Sequence, residues 1–422
     1  MKVLWLCNLM PSIIAKALKR PASNKEGWIL GLAAEVQKNQ FMELGIAFPV
    51  KQEENIHGVV DGIAYFGFYE DSNHPEVYDS SLESALGLIC EEFLPDVIHC
   101  FGTEYPHTLA MLHVKEWKKR VLIHLQGIME LYAKVYYAGI PQEVAERATF
   151  RDILKKDTIW QQKEKFVQRG EHEAELLRLA EHVCGRTAFD KAYMEKINPS
   201  CAYYTVNETL RPEFYGHMWR PQPNHRHTIF AAQGNYPIKG IHFLIQALAQ
   251  LQEDFPDVLL YVAGDNVTAH HSLKEKLKIS SYGKYLNDLI KENHLENKVK
   301  FLGSLDASEM MKRYLNAGVY VIPSIIENSP NSLGEAMLLG MPCVAANVGG
   351  IASLAEDEKE VLMVAPDHID ELVHAVKRIF MDEELAISLG QAARARAMLT
   401  HDAKANYKML CWVYEMIVKD NL

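Results

Sequence analysis

The stretch IPSIIENSPNSLGEAMLLGMPCVAANVGG, residues 322–350, decides the fold. It opens on the end of VYVIPS (319–324), an apolar run too short for a helix, which reads as a buried strand. NSLGEAMLLG (331–340) carries its apolar residues at helical spacing and reads as a helix, with Asn331 or Ser332 as N-cap. PCVAAN (342–347) is a strand again. Continuous apolar strands separated by a helix belong to a parallel sheet covered on both faces. The turn between strand and helix holds Glu327 at its start, and Glu335 stands one helical turn beyond it.

The same alternation extends in both directions. Further strand-like runs are HTIFAAQG (227–234), VLLYVAGD (258–265) and VKFLGS (299–304), with the amphipathic GIHFLIQALAQLQEDF and ASEMMKRYLNAG between strands. The first half offers VLWLCNL (3–9), MELGIAFPV (42–50), DVIHCFG (96–102), RVLIHLQG (120–127) and HVCGRT (182–187). The pattern starts twice, at Val3 and near Thr228, and the proline-rich TLRPEFYGHMWRPQPNHRH lies between the starts. This predicts an α/β protein of two doubly wound, Rossmann-like domains facing across a cleft, with ligands beyond the carboxyl ends of the strands. The expected divisions are a domain over 1–212, a linker over 213–227, a second domain over 228–398, and a C-terminal helix over 399–422. That helix shows Leu410, Trp412, Val413 and Met416 on one face and is expected to pack back on the first domain.

At 422 residues the chain is too long for one ordinary core. A hydrophobic fraction of 48% and a charged fraction of 23% are those of a globular protein. The net charge of −11 argues against a whole-surface nucleic-acid binder. Seven cysteines form no CxxC pair and sit largely in apolar runs, so they read as buried reduced thiols of a cytoplasmic protein. The apolar start of MKVLWLCNLMPSIIAKALKR is interrupted by Asn8 and Pro11, and its basic residues follow the apolar part; a first strand is expected rather than a signal peptide. No run reaches the ~18 apolar residues of a membrane helix. The basic residues Lys16, Lys19, Arg20 and Lys25 could draw the chain to anionic lipid at the inner membrane face, or to a phosphorylated acceptor; a solvated face is the plain alternative.

The loop IENSPN, residues 326–331, has a chemistry of its own. Free backbone N–H groups at Ser332 and Leu333 suit a phosphate. A carboxylate at Glu335 can accept two hydroxyls at once, as a ribose diol requires, and Glu327 can hold the hydroxyls of a sugar attached to the phosphates. Separately, Glu335 reads as a helix-dipole acid and Glu327 as a solvated loop residue; together, with the Pro-Asn-Ser turn and the trailing VGG, they point to a nucleotide-sugar site.

PSIIENSPNSLGEAMLLGMPCVAANVGG resembles the signature of the retaining glycosyltransferases of family 4, also called group 1, which have the GT-B fold: a glutamate, seven residues, then a glutamate before Ala-Met. The resemblance implies that Glu335 binds the nucleotide ribose, that Glu327 contacts the donor sugar, and that amides near Asn331, Ser332 and Leu333 meet the sugar and phosphates. Lys239, in NYPIKGIHF, would neutralise a leaving diphosphate; a solvated loop lysine is the alternative. The family's usual arginine five residues earlier is Gly234 here. VKFLGSLD resembles the segment whose backbone meets the base, which places Leu302 to Ser304, Gly303 included, near a uracil-like ring. KEGWILGLAAEVQK resembles the glycine loop that faces the donor phosphates, with Gly27 in place of a glycine pair.

On the first domain, PDVIHCFGTEYPHTLAML resembles the family's acceptor-side strand and loop. His99 reads as a core residue; Glu104 and His107 are the candidates to line the site, His107 toward the donor sugar. Gln126 stands where relatives often carry a histidine, and Arg186 would reach an anionic group or form a structural salt bridge. The implied reaction moves a sugar from a nucleotide diphosphate, UDP above all, to an acceptor hydroxyl with retention. No metal and no other cofactor is expected. The acceptor would be a saccharide or lipid-linked hydroxyl, as in cell-surface polysaccharide synthesis. A non-catalytic nucleotide-sugar binder and a GT-B epimerase are the alternatives. A Rossmann dehydrogenase is set aside because VLWLCNLMPS lacks GxGxxG.

Overall fold

Along strand β1 (Lys2–Leu6), Leu4 and Leu6 enter one buried apolar cluster, while Val3, Trp5 and the following Cys7 enter another on the opposite face. A strand buried on both sides in this way belongs to the middle of a parallel sheet. The structure, a computed structural model, describes residues 1–21, 27–38, 42–51, 56–269 and 272–421. Lys25, of the basic N-terminal set, lies outside the described residues; Lys16 and Lys19 are exposed and Arg20 half-buried.

The remaining strands are β2 (Glu43–Val50), β3 (His57–Val60), β4 (Ile63–Tyr69), β5 (Val97–Phe101), β6 (Val121–His124), β7 (His182–Gly185), β8 (Ala202–Thr205), β9 (Thr228–Ala231), β10 (Leu259–Val262), β11 (Val299–Phe301), β12 (Val319–Ile322), β13 (Cys343–Ala346) and β14 (Leu362–Val364). The helices are α1 (Ser12–Ala17), α2 (Gly27–Gln37), α3 (Ser81–Phe93), α4 (Pro106–His113), α5 (Met129–Lys134), α6 (Gln142–Glu146), α7 (Phe150–Lys155), α8 (Ile159–Leu179), α9 (Ala188–Ile197), α10 (Ile241–Asp254), α11 (Leu273–Lys278), α12 (Ser281–Glu292), α13 (Ala307–Leu315), α14 (Asn331–Leu338), α15 (Ile351–Leu354), α16 (Ile369–Met381), α17 (Glu383–Thr400) and α18 (Ala403–Asp420).

Two compact units divide the chain: Met1–Leu131 with Lys165–Arg211 and His401–Leu422, and Tyr132–Glu164 with Pro212–Thr400. The first unit holds an eight-stranded sheet of order β3-β4-β2-β1-β5-β6-β7-β8, parallel except for the β3–β4 pair. Its strand order reverses between β1 and β5, which pair in parallel. Helix α18 packs on this unit through Leu410, Val413, Tyr414 and Ile417. Trp412, expected on the buried face, is instead 49% exposed: the stripe runs through Tyr414, whose hydroxyl accepts the Trp5 indole N–H.

The second unit holds six parallel strands of order β11-β10-β9-β12-β13-β14. Its order reverses between β9 and β12, again neighbours.

Two boundaries differ from the expected 1–212 and 213–227. Residues 132–164 group with the second unit, tied there by His242 Nε2 to the Ala138 carbonyl (2.8 Å) and by Arg147 to Asp288 (3.0 Å). The stretch after Pro212 is packed on the same unit: Phe214 is fully buried, and Trp219 donates its indole N–H to the Ala317 carbonyl at 2.8 Å. Proline and charge in that segment hid two aromatic anchors. All seven cysteines are free, five buried and two, Cys201 and Cys411, half-buried.

Candidate active site

In the second unit the chain after β9 and the chain after β12 leave neighbouring strands at the point where the strand order reverses. Such a switch point opens a crevice beyond the strand ends. Two glycines bring further backbone against the β12 loop. Gly240 has φ +69°, and a Cβ there would lie 2.0 Å from the Pro323 carbonyl oxygen; Gly349 has φ +53°, and its Cβ would lie 2.0 Å from the Glu327 carbonyl oxygen. Only glycine fits either place. The Ile325 N–H donates to the Ile238 carbonyl (2.9 Å) and the Gly350 N–H to the Glu327 carbonyl (3.0 Å), closing the loop from both sides.

Lys239 thereby meets Glu327: Nζ to Oε1 is 2.6 Å, with side-chain exposures of 18% and 7%. The Ser324 hydroxyl donates to the same oxygen at 2.8 Å. An ammonium has three N–H groups, so the ion pair leaves Lys239 able to serve a second acceptor.

Helix α14 starts beside this pair. Its N-cap is Pro330, which makes no side-chain cap bond; Asn331 is the first helical residue, one position inside the expected cap. Proline has no side-chain acceptor, and its fixed φ suits a helix entry. The Pro330 carbonyl accepts from Leu333 and Gly334 N–H, and the Tyr314 hydroxyl donates to the Ser332 carbonyl at 2.9 Å, holding the first turn. Asn331 and Ser332 are half-buried, Leu333 is fully buried and Glu335 is 4% exposed. The tip of α14 offers positive dipole next to a lysine and two buried acids.

Leu302 and Gly303 follow the edge strand β11. Gly303 has φ +77° with no atom within 4 Å of a built Cβ, and its carbonyl accepts the Gly264 N–H at 3.0 Å. At Gly234, by contrast, a Cβ would lie 2.8 Å from Ile241 Cγ1 and 2.9 Å from Val262 Cγ1. An arginine there has no room for its first side-chain carbon, which gives a physical reason for the departure from the family pattern.

In the first unit, polar groups also gather at the reversal point. Asn8, after β1, donates from Nδ2 to Glu104 Oε1 (2.7 Å), after β5; Glu104 Oε2 accepts the Thr103 N–H (2.9 Å). His107 is fully buried, with Nδ1 2.9 Å from Glu70 Oε2 and Nε2 3.1 Å from Asn8 Oδ1. Its two ring nitrogens are taken by Glu70 and Asn8, so His107 is engaged within this unit's own hydrogen-bond network. Asn8, Ser324 and Glu70 were not among the candidates. Asn8 had a signal, a polar residue two positions after the first strand.

Gln126 and Arg186 converge on Glu208. Gln126 Nε2 donates to Oε1 (2.7 Å), and Arg186 Nη1 lies 2.9 Å from Oε2, with side chains 3% and 5% exposed. Arg186 thus forms a buried structural ion pair. Gly27 is the first residue of α2.

One group among the described residues has the composition of a metal site: His99, His124 and Cys184, all buried. The Tyr414 hydroxyl accepts from Trp5, which frees its own proton for His99 Nδ1 at 2.7 Å. That tautomer puts a proton on His99 Nε2, 4.0 Å from Cys184 Sγ, so the pair satisfies itself. Burial pushes the Cys184 thiol well up and His124 down to about 4.

Residues 219–396 match the family model of the glycosyl transferases group 1. An uncharacterized glycosyltransferase of Methanocaldococcus jannaschii is 29% identical over 161 residues, 38% of this chain and 37% of that protein. The chain spans about two fifths of the length of the curated relatives it matches. Several solved structures align over nearly the whole chain. Sucrose-phosphate synthase from Thermosynechococcus elongatus has TM-score 0.71 and 16% identity, with 100% of both chains covered. Anabaena HepE in complex with UDP-glucose has TM-score 0.67 and 16% identity, with 99% of this chain and 100% of that one covered. At such identities the likeness speaks for the fold: the chain has the GT-B fold, and its second unit, over the residues that carry Lys239, Glu327 and α14, matches the group 1 glycosyl transferases.

Proposed function

We propose that the chain is a retaining glycosyltransferase of family 4 type that transfers a sugar from a UDP-sugar to an acceptor hydroxyl. The observation that carries this is the Lys239–Glu327 pair at the switch point of the second unit, beside the α14 tip and the buried Glu335. The Leu333 N–H, expected to be free, already donates to the Pro330 carbonyl, so a bound diphosphate would take the Ser332 amide at the α14 tip and a second N–H of Lys239; Glu335 would accept the ribose hydroxyls and Glu327 those of the donor sugar. Leu302 and Gly303 would face the base. In the transfer, the bond from the anomeric carbon to the diphosphate oxygen breaks and a bond to the acceptor oxygen forms on the same face. The acceptor proton passes to the leaving diphosphate. Lys239 and the helix dipole stabilise the charge that develops there. HepE, of the same fold, is seen with UDP-glucose, which supports the choice of donor class. The acceptor proposed is a saccharide or lipid-linked hydroxyl in cell-surface polysaccharide synthesis, met at the cytoplasmic face of a membrane. Among the described residues no helix is long and apolar enough to cross a membrane.

A non-catalytic nucleotide-sugar binder is the second reading. It is favoured by the closed packing at Gly234 and by the engagement of Gln126 and Arg186 with Glu208. A panel of nucleotide sugars separates the two. A donor that raises the melting temperature and is then consumed with release of free UDP, more slowly in Lys239→Met, supports the enzyme. Stabilisation without release supports the binder, and no stabilisation by any donor overturns both.

A further inference from the structure

Helix α7 has its polarity reversed. Its acid, Asp152, is fully buried and accepts the N–H groups of Thr149 (3.1 Å) and Ser281 (2.9 Å) and the Arg151 guanidinium (3.0 Å). The Thr149 hydroxyl donates to the Ile279 carbonyl at 2.8 Å. These bonds fix α7 to the start of α12 by its polar side. Residues i, i+3 and i+4 share a helix face, so Phe150, Ile153 and Leu154 emerge together on the other side, 62%, 66% and 73% exposed. Leu277, on α11 packed beside α7, is 55% exposed, and Trp160, in the first turn of α8, is 56% exposed. Apolar side chains so prominent, held out by a buried acid, mark an interaction surface.

The surrounding charge indicates what covers it. Lys155, Lys156 and Lys278 are exposed, and among the described residues none is in an ion pair. The nearby acids are already engaged, Asp152 and Asp157 with Arg151 and Glu275 with the Ser272 N–H. This lysine rim stands out in a chain of net charge −11. An isologous contact with a second copy would set two lysine rims against each other. An apolar face bordered by lysines matches the interface of a bilayer with anionic headgroups.

We propose that α7, with Leu277 and the three lysines, docks the second unit onto an anionic lipid surface. The inference rests on the membrane placement proposed above, but docking is measured without turnover, so its failure leaves the transferase reading to be tested separately. The full chain is floated with vesicles of phosphatidylcholine alone and of phosphatidylcholine mixed with phosphatidylglycerol. Wild type is expected to float with the mixed vesicles and hardly with the neutral ones, and to be released by salt. Ile153→Ser/Leu154→Ser and Lys155→Glu/Lys156→Glu are each expected to lower mixed-vesicle binding by about tenfold or more, because both the apolar and the electrostatic parts are required. Both pairs are exposed, so unchanged melting temperatures certify folding. The proposal is overturned if wild type fails to float with mixed vesicles, or if the variants float as well as wild type. It is also overturned if the face proves to be a self-association surface, seen as wild-type dimers by light scattering that Ile153→Ser/Leu154→Ser dissolves.

Discussion

Truncating Lys239 to alanine leaves the Glu327 carboxylate, whose side chain is 7% exposed, with the Ser324 hydroxyl still donating to it. Removing one partner of a buried ion pair costs ~3–5 kcal/mol because the remaining charge stays desolvated. The lysine side chain is 18% exposed and the Ser324 bond survives, so the lower end, about 3 kcal/mol, is expected. Glu327→Gln keeps an amide oxygen for both donors but leaves the Lys239 ammonium without its counter-charge, so about 2 kcal/mol is expected. The double variant Lys239→Met/Glu327→Gln removes both charges and fills the space of the lysine stem. It should therefore cost less than the sum of the single effects. Hydrogen exchange read by mass spectrometry over β12 and α14 isolates this part of a two-unit chain from global unfolding. Lys239→Ala should speed exchange there about 100-fold, since each ~1.4 kcal/mol is a factor of ten. Exchange in Lys239→Ala within about threefold of wild type, or Lys239→Met and Glu327→Gln effects that add in the double variant, would refute the coupling of the two groups.

Gly349→Ala places a Cβ 2.0 Å from the Glu327 carbonyl oxygen at φ +53°, so it should cost about 2 kcal/mol or more and weaken UDP binding; a variant that melts and binds like wild type contradicts the close approach. Stability should also depend on pH. Burial holds His124, His242 and His401 down at about 4 and His99 well below its usual value. The unfolded chain therefore takes up protons that the folded chain refuses, and the histidines' share of the stability is complete above pH ~6.5 and lost as pH falls toward 4, by about 3 kcal/mol per histidine held at that value. Glu173 works the other way: burial raises it to about 7, so its share is lost as pH rises from ~4.5 through 7. Melting temperatures should fall steeply on the acid side, and more steeply in Glu173→Gln; a flat profile between pH 4 and ~6.5 rejects the assignment.

The elements that frame the second unit's site were legible because their signals are local. VYVIPS and NSLGEAMLLG each fit one period, and the corresponding strand and helix are β12 and α14. The β3–β4 hairpin was missed although Asp61-Gly62, at φ +47° and +79°, is the usual dipeptide of a two-residue turn. Three-residue β14 and half-exposed β8 carry too little pattern to separate from loop. The placement of 132–164 was not legible for a different reason. Its anchors, such as Asp152 on the Ser281 amide, join residues 129 apart in sequence. The pairing of Arg186 with Glu208 is likewise tertiary, and a carboxylate acceptor cannot be chosen from spacing alone. At α14, asparagine and serine advertised a cap that Pro330 occupies.

The most direct measurement is a calorimetric titration of UDP, and of its 2′-deoxy analogue, into wild type and Glu335→Ala. A carboxylate that accepts the ribose hydroxyls contributes about 1.5–3 kcal/mol per charged hydrogen bond. UDP should therefore bind wild type at least tenfold more tightly than it binds Glu335→Ala. The 2′-deoxy analogue should bind wild type more weakly than UDP does, and Glu335→Ala should not distinguish the two ligands. Equal affinity of UDP for both proteins, or no binding to wild type, would contradict a nucleotide site built on Glu335 and the tip of α14.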